Sequence, residues 1–229
     1  MLEAVAADAR LILARLANHP KVGRYVDAGL DIPKPYLGGS KAGVRLVMVG
    51  QDPTIRNVAQ REKITTVLNL DKSGALRKYA EKLCCGLGVW MSEVYATNAC
   101  KNFFTEPPTA ILARTKIDVL METSLDWLPL LRAELNQFPD AVVVSLGQPV
   151  LTMLVRSGGA RAMRHFWGYH SSWQRERVLL PLSCIQAQDS TLDRMVFPFV
   201  HQPCAQRSKF YQHRFQDYVI FIRENGLRG

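Results

Sequence analysis

Short apolar runs alternate with longer helical segments along this chain, and this alternation most constrains its fold. Four runs rich in β-branched residues predict strands at 44–50, 89–99, 140–147 and 194–201. Amphipathic segments predict helices over the first 20 residues and at 73–88, 115–138, 148–159 and 206–225. Parallel strands need crossovers, and right-handed crossovers place helices over the sheet. The pattern therefore predicts an α/β protein, a three-layer α/β/α sandwich with a central four-stranded, mainly parallel sheet.

No linker-like stretch interrupts the 229 residues, so we expect a single domain over 1–229. Hydrophobic residues make up 48% of the chain, enough to bury a core without disulfides or metals. Ser73 is the expected N-cap of the helix at 73–88, and Pro129 is expected to kink or break the helix at 115–138. The Arg- and His-rich segment 161–177 fits either a DNA-facing insertion or a charged surface.

Several classes of protein are disfavoured by the composition. No apolar run approaches the roughly 18 residues that cross a bilayer, and the N-terminal segment carries acidic residues, so no membrane partner is expected. The five cysteines are odd in number and form no C-x-x-C pair. We therefore expect reduced thiols in a cytoplasmic protein, and no zinc or iron-sulfur site.

The charge balance favours an anionic partner. Lys and Arg number 29 against 20 Asp and Glu, giving a formal charge of +9 that is spread along the chain. Nucleic acid is the most plausible partner, because phosphates dominate non-specific affinity for basic proteins. The alternative is a basic protein kept soluble by its charge.

Polar side chains follow all four predicted strands, with Gln148 after the third. Residues 51–54, "QDPT", follow the first strand, Asn98 follows the second and His201 follows the fourth. Each has an ordinary interpretation, because Asp52 and Pro53 are a common turn pair, Asn98 could cap a loop and a lone His201 is often structural. In parallel sheets, however, ligands bind beyond the carboxyl ends of the strands. A carboxylate, an amide and an imidazole converging on one edge favour a functional site there.

These residues carry a resemblance to a known family. The stretch "VGQDPT" resembles the first motif of the uracil-DNA glycosylase superfamily, whose best-known family has GQDPYH. "YATNACKNF" is similar to the family segment in which an Asn precedes a Lys, and "FPFVHQP" lies where the superfamily carries its second motif, commonly HPSP. The similarity spans about residues 40–224, and its first motif is the most specific.

The resemblance implies a monofunctional DNA glycosylase that releases uracil from DNA by base flipping, in base excision repair. Asp52 would stabilise the sugar cation and orient the attacking water, and His201 would donate to uracil O2 without needing a positive charge. Asn98 would read the base edge and reject cytosine, while Gln51, mainly through its backbone, and Thr54 would line the pocket. No cofactor and no lysine Schiff base are implied, so the strand would not be cut.

The resemblance also implies contacts with uracil-containing DNA. We expect a monomer, because an enzyme that wraps and bends DNA has no need of a second copy. Lys101 would meet a backbone phosphate or be an ordinary solvated lysine. Residues 202–207 would form a loop in the minor groove, with Gln206 or Arg207 filling the space left by the flipped base.

Three departures from the best-known family concern the base pocket. Thr54 replaces a Tyr that blocks the thymine methyl, Ile55 replaces a His, and residues 63–71 contain no aromatic ring to stack on uracil. The stacking residue would then be one of four others, Val67, Leu68, Phe103 or Phe104. Two alternatives stay open: a glycosylase for another base such as hypoxanthine, and a catalytically silent DNA-binding module on the same fold.

Overall fold

The computed structural model describes residues 2–156 and 161–227. The helices of this part are α1 (Leu2–Ala17), α2 (Ala75–Leu87), α3 (Pro108–Thr115), α4 (Val119–Leu135), α5 (Gln148–Leu154), α6 (Met163–Phe166), α7 (Trp173–Glu176), α8 (Gln202–Arg207) and α9 (Lys209–Asn225). The strands are β1 (Val26–Asp27), β2 (Tyr36–Leu37), β3 (Leu46–Gly50), β4 (Val94–Asn98), β5 (Phe103–Phe104), β6 (Val142–Leu146) and β7 (Val196–Phe199). Within these residues no helix is long and apolar enough to cross a membrane.

The central sheet has five strands in the order β2-β4-β3-β6-β7. β4, β3, β6 and β7 pair in parallel, which confirms the predicted α/β class and the mostly parallel sheet. The fifth strand, β2, pairs antiparallel with β4 at one edge and was not predicted, because two residues are too few to show an alternating pattern. β1 and β5 form a separate two-stranded pair.

Alternate side chains of the sheet face two helical layers. On one face, the Tyr95 hydroxyl donates to Glu134 of α4, and α4 in turn packs against α1. On the other face, the Phe199 ring centroid lies 5.5 Å from that of Phe215 in α9, and α9 packs against α2. Because successive strand residues point to opposite faces, the buried strands can support helices on both sides.

Several helix boundaries differ from those predicted. Ser73 is not an N-cap, because α2 begins one residue later with Gly74 in the cap position and no side-chain cap. Pro129 neither breaks nor ends α4, which runs from Val119 to Leu135. The predicted helix at 115–138 begins later because Lys116 is left-handed (φ 63°) and Asp118 caps α4. Of the helix predicted at 148–159, residues 157–159 lie outside the described residues.

The Arg- and His-rich segment 161–177 is partly packed into the protein. It contains α6 and α7, and the buried Trp167 indole donates to the Pro198 carbonyl at 2.9 Å. Trp173 packs edge-on against Phe210, with ring centroids 5.2 Å apart. Its arginines at 161, 164, 175 and 177 are exposed. The segment therefore combines buried aromatic side chains with a cationic outer surface, and contact of that surface with DNA stays a prediction.

Candidate active site

The loop after β3 is held against the end of the neighbouring strand. All five residues of β3 are buried, and the chain emerges at Gln51. The Gly50 carbonyl accepts from the Ala99 amide at 2.8 Å, and the Gln51 carbonyl accepts from the Cys100 amide at 2.9 Å. These two backbone hydrogen bonds continue the β3–β4 pairing beyond the sheet and fix the backbone position from which Asp52 follows.

The Asp52 carboxylate is held by its own loop. Its Oδ2 accepts from the Thr54 backbone amide at 2.9 Å, and its Oδ1 accepts from Gln51 Nε2 at 2.6 Å. The Thr54 hydroxyl oxygen accepts from the Phe104 amide at 2.7 Å, which ties the loop to β5. The Gln51 side chain thus orients Asp52, beyond the backbone role expected for it. Asp52 is pre-oriented on a short, doubly anchored loop.

The surroundings of Asp52 favour its neutral form. Burial raises the pKa of the carboxyl above its ordinary value, and the hydrogen bonds from Thr54 and Gln51 and the charge of Arg61 offset this only in part. An ionised carboxylate in such a poorly solvated position interacts strongly with a positive charge that develops nearby. This is the electrostatic property that stabilisation of a sugar cation requires.

His201 follows β7 and occupies the N-cap position of α8. Partial burial lowers the pKa of the imidazole below its ordinary value, so the ring is neutral at pH 7 and retains one N–H donor. Gly147, after β6, has φ 95°, and a Cβ built there would lie 3.5 Å from the His201 Cβ. The ends of β6 and β7 are therefore in close contact at this edge.

Asp52 and His201 line one cavity of about 710 Å³ at the carboxyl ends of β3, β6 and β7. Gln51 and Thr54 line it too, so the structure brings together four of the residues selected from the sequence. The cavity wall also includes five residues that sequence reasoning missed: Arg56, Leu76, Met163, Cys204 and Tyr211. No local pattern marks them, because the fold brings them in from separate segments.

Asn98 lies behind this cavity, not on its wall. A Cβ built at Gly50, which does line the cavity, would lie only 2.4 Å from Asn98 Oδ1. Asn98 itself lines an adjacent cavity of about 500 Å³. Its Oδ1 is buried and accepts no hydrogen bond from the described residues, a condition that costs about 1 to 3 kcal/mol. An amide oxygen left unpaired at that cost is a candidate ligand-binding group.

Leu68 lies beside Gly50 and lines the Asp52 cavity. Its Cδ2 would be 3.0 Å from a Cβ at Gly50, and both Leu68 (φ 57°) and Asn69 (φ 49°) are left-handed. Such backbone conformations in non-glycine residues cost about 1 to 3 kcal/mol each and concentrate at functional sites. Of the four candidates for contact with a base, Leu68 alone lines the cavity, since Phe103 and Phe104 are buried in β5 and Val67 lines the adjacent cavity.

Lys101 is not at the protein surface, which corrects both interpretations made from the sequence. Its ammonium lies 2.5 Å from Glu134 Oε2, 2.7 Å from Thr97 Oγ1 and 3.3 Å from the Asn98 carbonyl oxygen. Only 6% of the Lys101 side chain is exposed and none of Glu134. A lysine whose donors are all used inside the protein cannot reach a DNA phosphate.

Residues 202–207 form the short helix α8, which corrects the prediction of a loop. Pro203 lies in its first turn, where proline is tolerated, and the Ala205 amide donates to the His201 carbonyl at 3.0 Å. Gln206 and Arg207 are exposed on α8 and do not line the Asp52 cavity. They lie at the surface beside the cavity, while His201 lies at its wall.

Two further observations concern what the site binds and which proteins resemble this one. Among the described residues, no three His, Cys, Asp or Glu side chains are grouped as metal ligands would be. No model of a known protein family matches the sequence, and no curated protein matches it significantly. The resemblance to uracil-DNA glycosylases therefore rests on the quoted sequence motifs alone.

Proposed function

We propose that the protein is a monofunctional DNA glycosylase that hydrolyses the N-glycosidic bond of deoxyuridine in DNA, releasing uracil and leaving an abasic site. One observation carries the proposal: Asp52 and His201, from the ends of two parallel strands, line the same cavity. One is a poorly solvated carboxylate and the other a neutral donor. These two groups match the two charges that develop when a base leaves a sugar.

In the proposed reaction the bond between C1′ and uracil N1 breaks and its electron pair leaves with the base. The sugar becomes an oxocarbenium-like cation, which the ionised Asp52 stabilises electrostatically. A water molecule oriented by Asp52 then bonds to C1′ and gives up a proton to the Asp52 carboxylate, which releases it to solvent, while the uracil anion takes a proton from solvent. Because Gln51 and Thr54 hold both carboxylate oxygens, little reorganisation is needed as the charge develops.

His201 stabilises the departing base. Its neutral imidazole donates a hydrogen bond to uracil O2, where negative charge accumulates as the C1′–N1 bond breaks. The lowered pKa keeps the ring neutral at physiological pH, so the donor is present without a competing positive charge. No lysine is part of this chemistry, and the DNA strand stays uncut.

Asn98 reads the base across Gly50. Because Gly50 has no side chain, the Asn98 amide oxygen is close to the cavity wall, where it accepts from uracil N3–H while the amide nitrogen donates to O4. Cytosine presents the reverse pattern and leaves buried polar groups mismatched. Leu68 provides the apolar contact beside this position.

The substrate is DNA, and a formal charge of +9 favours its binding. Extruding a nucleotide costs a few kcal/mol, which contacts with the phosphate backbone offset. Arg56, on the cavity wall, is a candidate for one of these contacts. The enzyme acts as a cytoplasmic monomer that needs no cofactor.

A purine such as hypoxanthine is the alternative substrate. Thr54 lines the cavity and has a short side chain, so this position does not exclude a base larger than uracil.

A labelled oligonucleotide with one deoxyuridine tests the proposal. It is incubated with wild type, Asp52→Asn or His201→Ala and then treated with alkali, which cleaves abasic sites. Asp189→Asn and His213→Ala are matched controls, because both residues are exposed and outside the cavity. We expect cleavage by wild type and both controls, and at least about 100-fold less by Asp52→Asn. If wild type cleaved neither the uracil nor the hypoxanthine substrate, the glycosylase proposal would be contradicted. A DNA-binding module without glycosylase activity would then be favoured.

A further inference from the structure

A second groove lies beside the candidate active site. It is formed by α2, α8 and α9, has a volume of about 530 Å³, and shares Gln202 with the Asp52 cavity. Its polar lining consists of two lysines, three glutamines and a tyrosine: Lys78, Lys82, Gln202, Gln206, Gln212 and Tyr79. None of the described residues that line it is acidic.

The two lysines lie on one face of α2 and have no acidic partner. Lys78 and Lys82 are four residues apart, which places their side chains on the same side of the helix. Throughout the described chain, no carboxylate lies within 4 Å of either ammonium. Arg77 and Glu81 of the same helix pair with each other at 2.7 Å, so the acidic residue nearest to Lys82 in sequence is already engaged.

Lys82 packs against an aromatic ring, and both lysines are accessible to solvent. The Lys82 ammonium lies 4.4 Å from the centroid of the Phe215 ring, which limits where it can move. Both lysines are exposed, so a ligand can reach them from solvent. Lys78 and Lys82 are separated by about 6 Å along the helix axis, comparable to the separation of neighbouring phosphates on a nucleic acid strand.

The groove also contacts the residues on both sides of His201. The Tyr79 hydroxyl, between the two lysines in sequence, donates to the Val200 carbonyl at 2.7 Å. Val200 directly precedes His201, and Gln202, which belongs to both the groove and the cavity, directly follows it. The groove and the Asp52 cavity therefore meet at Gln202.

We propose that this groove binds the phosphodiester backbone of the DNA strand that carries the target nucleotide, with Lys78 and Lys82 each contacting one phosphate. This inference rests on the proposed function in taking DNA as the substrate. The glutamine amides complete the surface with neutral donors, a combination common at backbone contacts. The groove would hold the nucleotides on one side of the flipped base and would not read their sequence.

The test measures DNA binding as a function of salt. Wild type, the Lys78→Gln/Lys82→Gln double variant and the control Arg10→Gln, on α1 in the other helical layer, are titrated with a fluorescent single-stranded oligonucleotide that lacks uracil. The plot of log affinity against log salt has a negative slope, and each lost phosphate contact makes it less steep by about 0.7. The slope of the double variant is therefore expected to be less steep than that of wild type by about 1.4. The control is expected to keep the wild-type slope. Circular dichroism checks that each variant is folded.

The two proposals fail in different ways. If wild type excises uracil and the double variant keeps the wild-type slope and excision rate, the groove is overturned and the proposed function stands. If no base is excised but the double variant loses slope, the groove stands and the excision chemistry is overturned. Oligonucleotides shortened on the 5′ or the 3′ side of deoxyuridine then identify the strand segment: removing the segment in the groove should abolish the difference in KM between wild type and variant.

Discussion

The Lys101 ammonium lies 2.5 Å from the Glu134 carboxylate in the protein core. The Tyr95 hydroxyl donates to the same carboxylate, and Lys101 also donates to Thr97 Oγ1 and the Asn98 carbonyl oxygen. This network joins the carboxyl end of β4 to α4. It thereby fixes the backbone of Asn98, the residue proposed to read the base.

Removing one partner of this pair should destabilise the protein strongly. Glu134→Gln leaves the Lys101 charge buried without its counterion, and we expect a loss of about 3 to 5 kcal/mol in the free energy of unfolding. Lys101→Met/Glu134→Gln removes both charges and should cost less than Glu134→Gln alone. Urea denaturation measures the loss of unfolding free energy in the single variant and in the double variant. A double variant less stable than Glu134→Gln would contradict this account of the network.

Asp52→Asn should stabilise the protein at neutral pH while abolishing most activity. The pKa of Asp52 is raised above its ordinary value of 3.8, so its ionisation at higher pH costs folding free energy. Below pH 3.8 the carboxyl is neutral in both the folded and unfolded states, and the benefit of Asn should disappear. Unfolding free energies at pH 3 and pH 7 for wild type and Asp52→Asn measure this. A variant less stable than wild type at pH 7 would contradict the stated cause.

The proposed excision rate should fall on the acid side as Asp52 becomes protonated. Because burial raises its pKa, the fall should be centred above pH 3.8. His201 has a lowered pKa, so its protonation occurs below pH 6.5 in the folded state. Measuring the excision rate as a function of pH for wild type and His201→Ala separates the effect of the Asp52 carboxyl from that of the His201 imidazole. An acid limb that vanishes in His201→Ala would assign it to the histidine instead of Asp52.

Gly50→Ala should displace the residue that reads the base. The added Cβ would lie 2.4 Å from Asn98 Oδ1 and 3.0 Å from Leu68 Cδ2, so one or both must move. We expect a loss of about 1 to 3 kcal/mol in unfolding free energy and a reduced preference for uracil over cytosine. Gly74→Ala is the matched control, since nothing lies within 4 Å of its added Cβ. Equal stability of the two variants would refute the close packing at Gly50.

Four of the five cysteines should react with a maleimide in two groups. Cys85 and Cys204 are exposed and should be labelled rapidly, whereas Cys84 and Cys100 are buried and burial raises the pKa of each thiol to about 12. Peptide mass mapping over time measures the order. Because Cys204 lines the Asp52 cavity, its modification should also block excision, and Cys204→Ser should protect the activity where Cys85→Ser does not. Rapid labelling of Cys100 would contradict the packing around β4.

The parallel strands and the polar residues at their ends can be predicted from the amino-acid sequence. Runs such as "VRLVMVG" and "AVVVSLG" are buried on both faces, so their composition identifies them without knowledge of the fold. The carboxyl ends of parallel strands lie at the same edge of the sheet, so the sequence pattern is enough to place Asp52 and His201 near each other. The N-cap at Ser73 and a helix break at Pro129 were not found in the structure, because small differences in capping and packing decide them.

The surroundings of those residues depend on how distant segments pack in the fold. Lys101 looks like a surface residue until Glu134, in another helix, is brought within 2.5 Å of it. Asn98 and Gly50 are far apart in the chain, and only the β3–β4 register places the amide behind the glycine. Tyr211 reaches the cavity from α9 in the same way. Local patterns encode periodicity and polarity, whereas the partner of a side chain depends on contacts between distant segments.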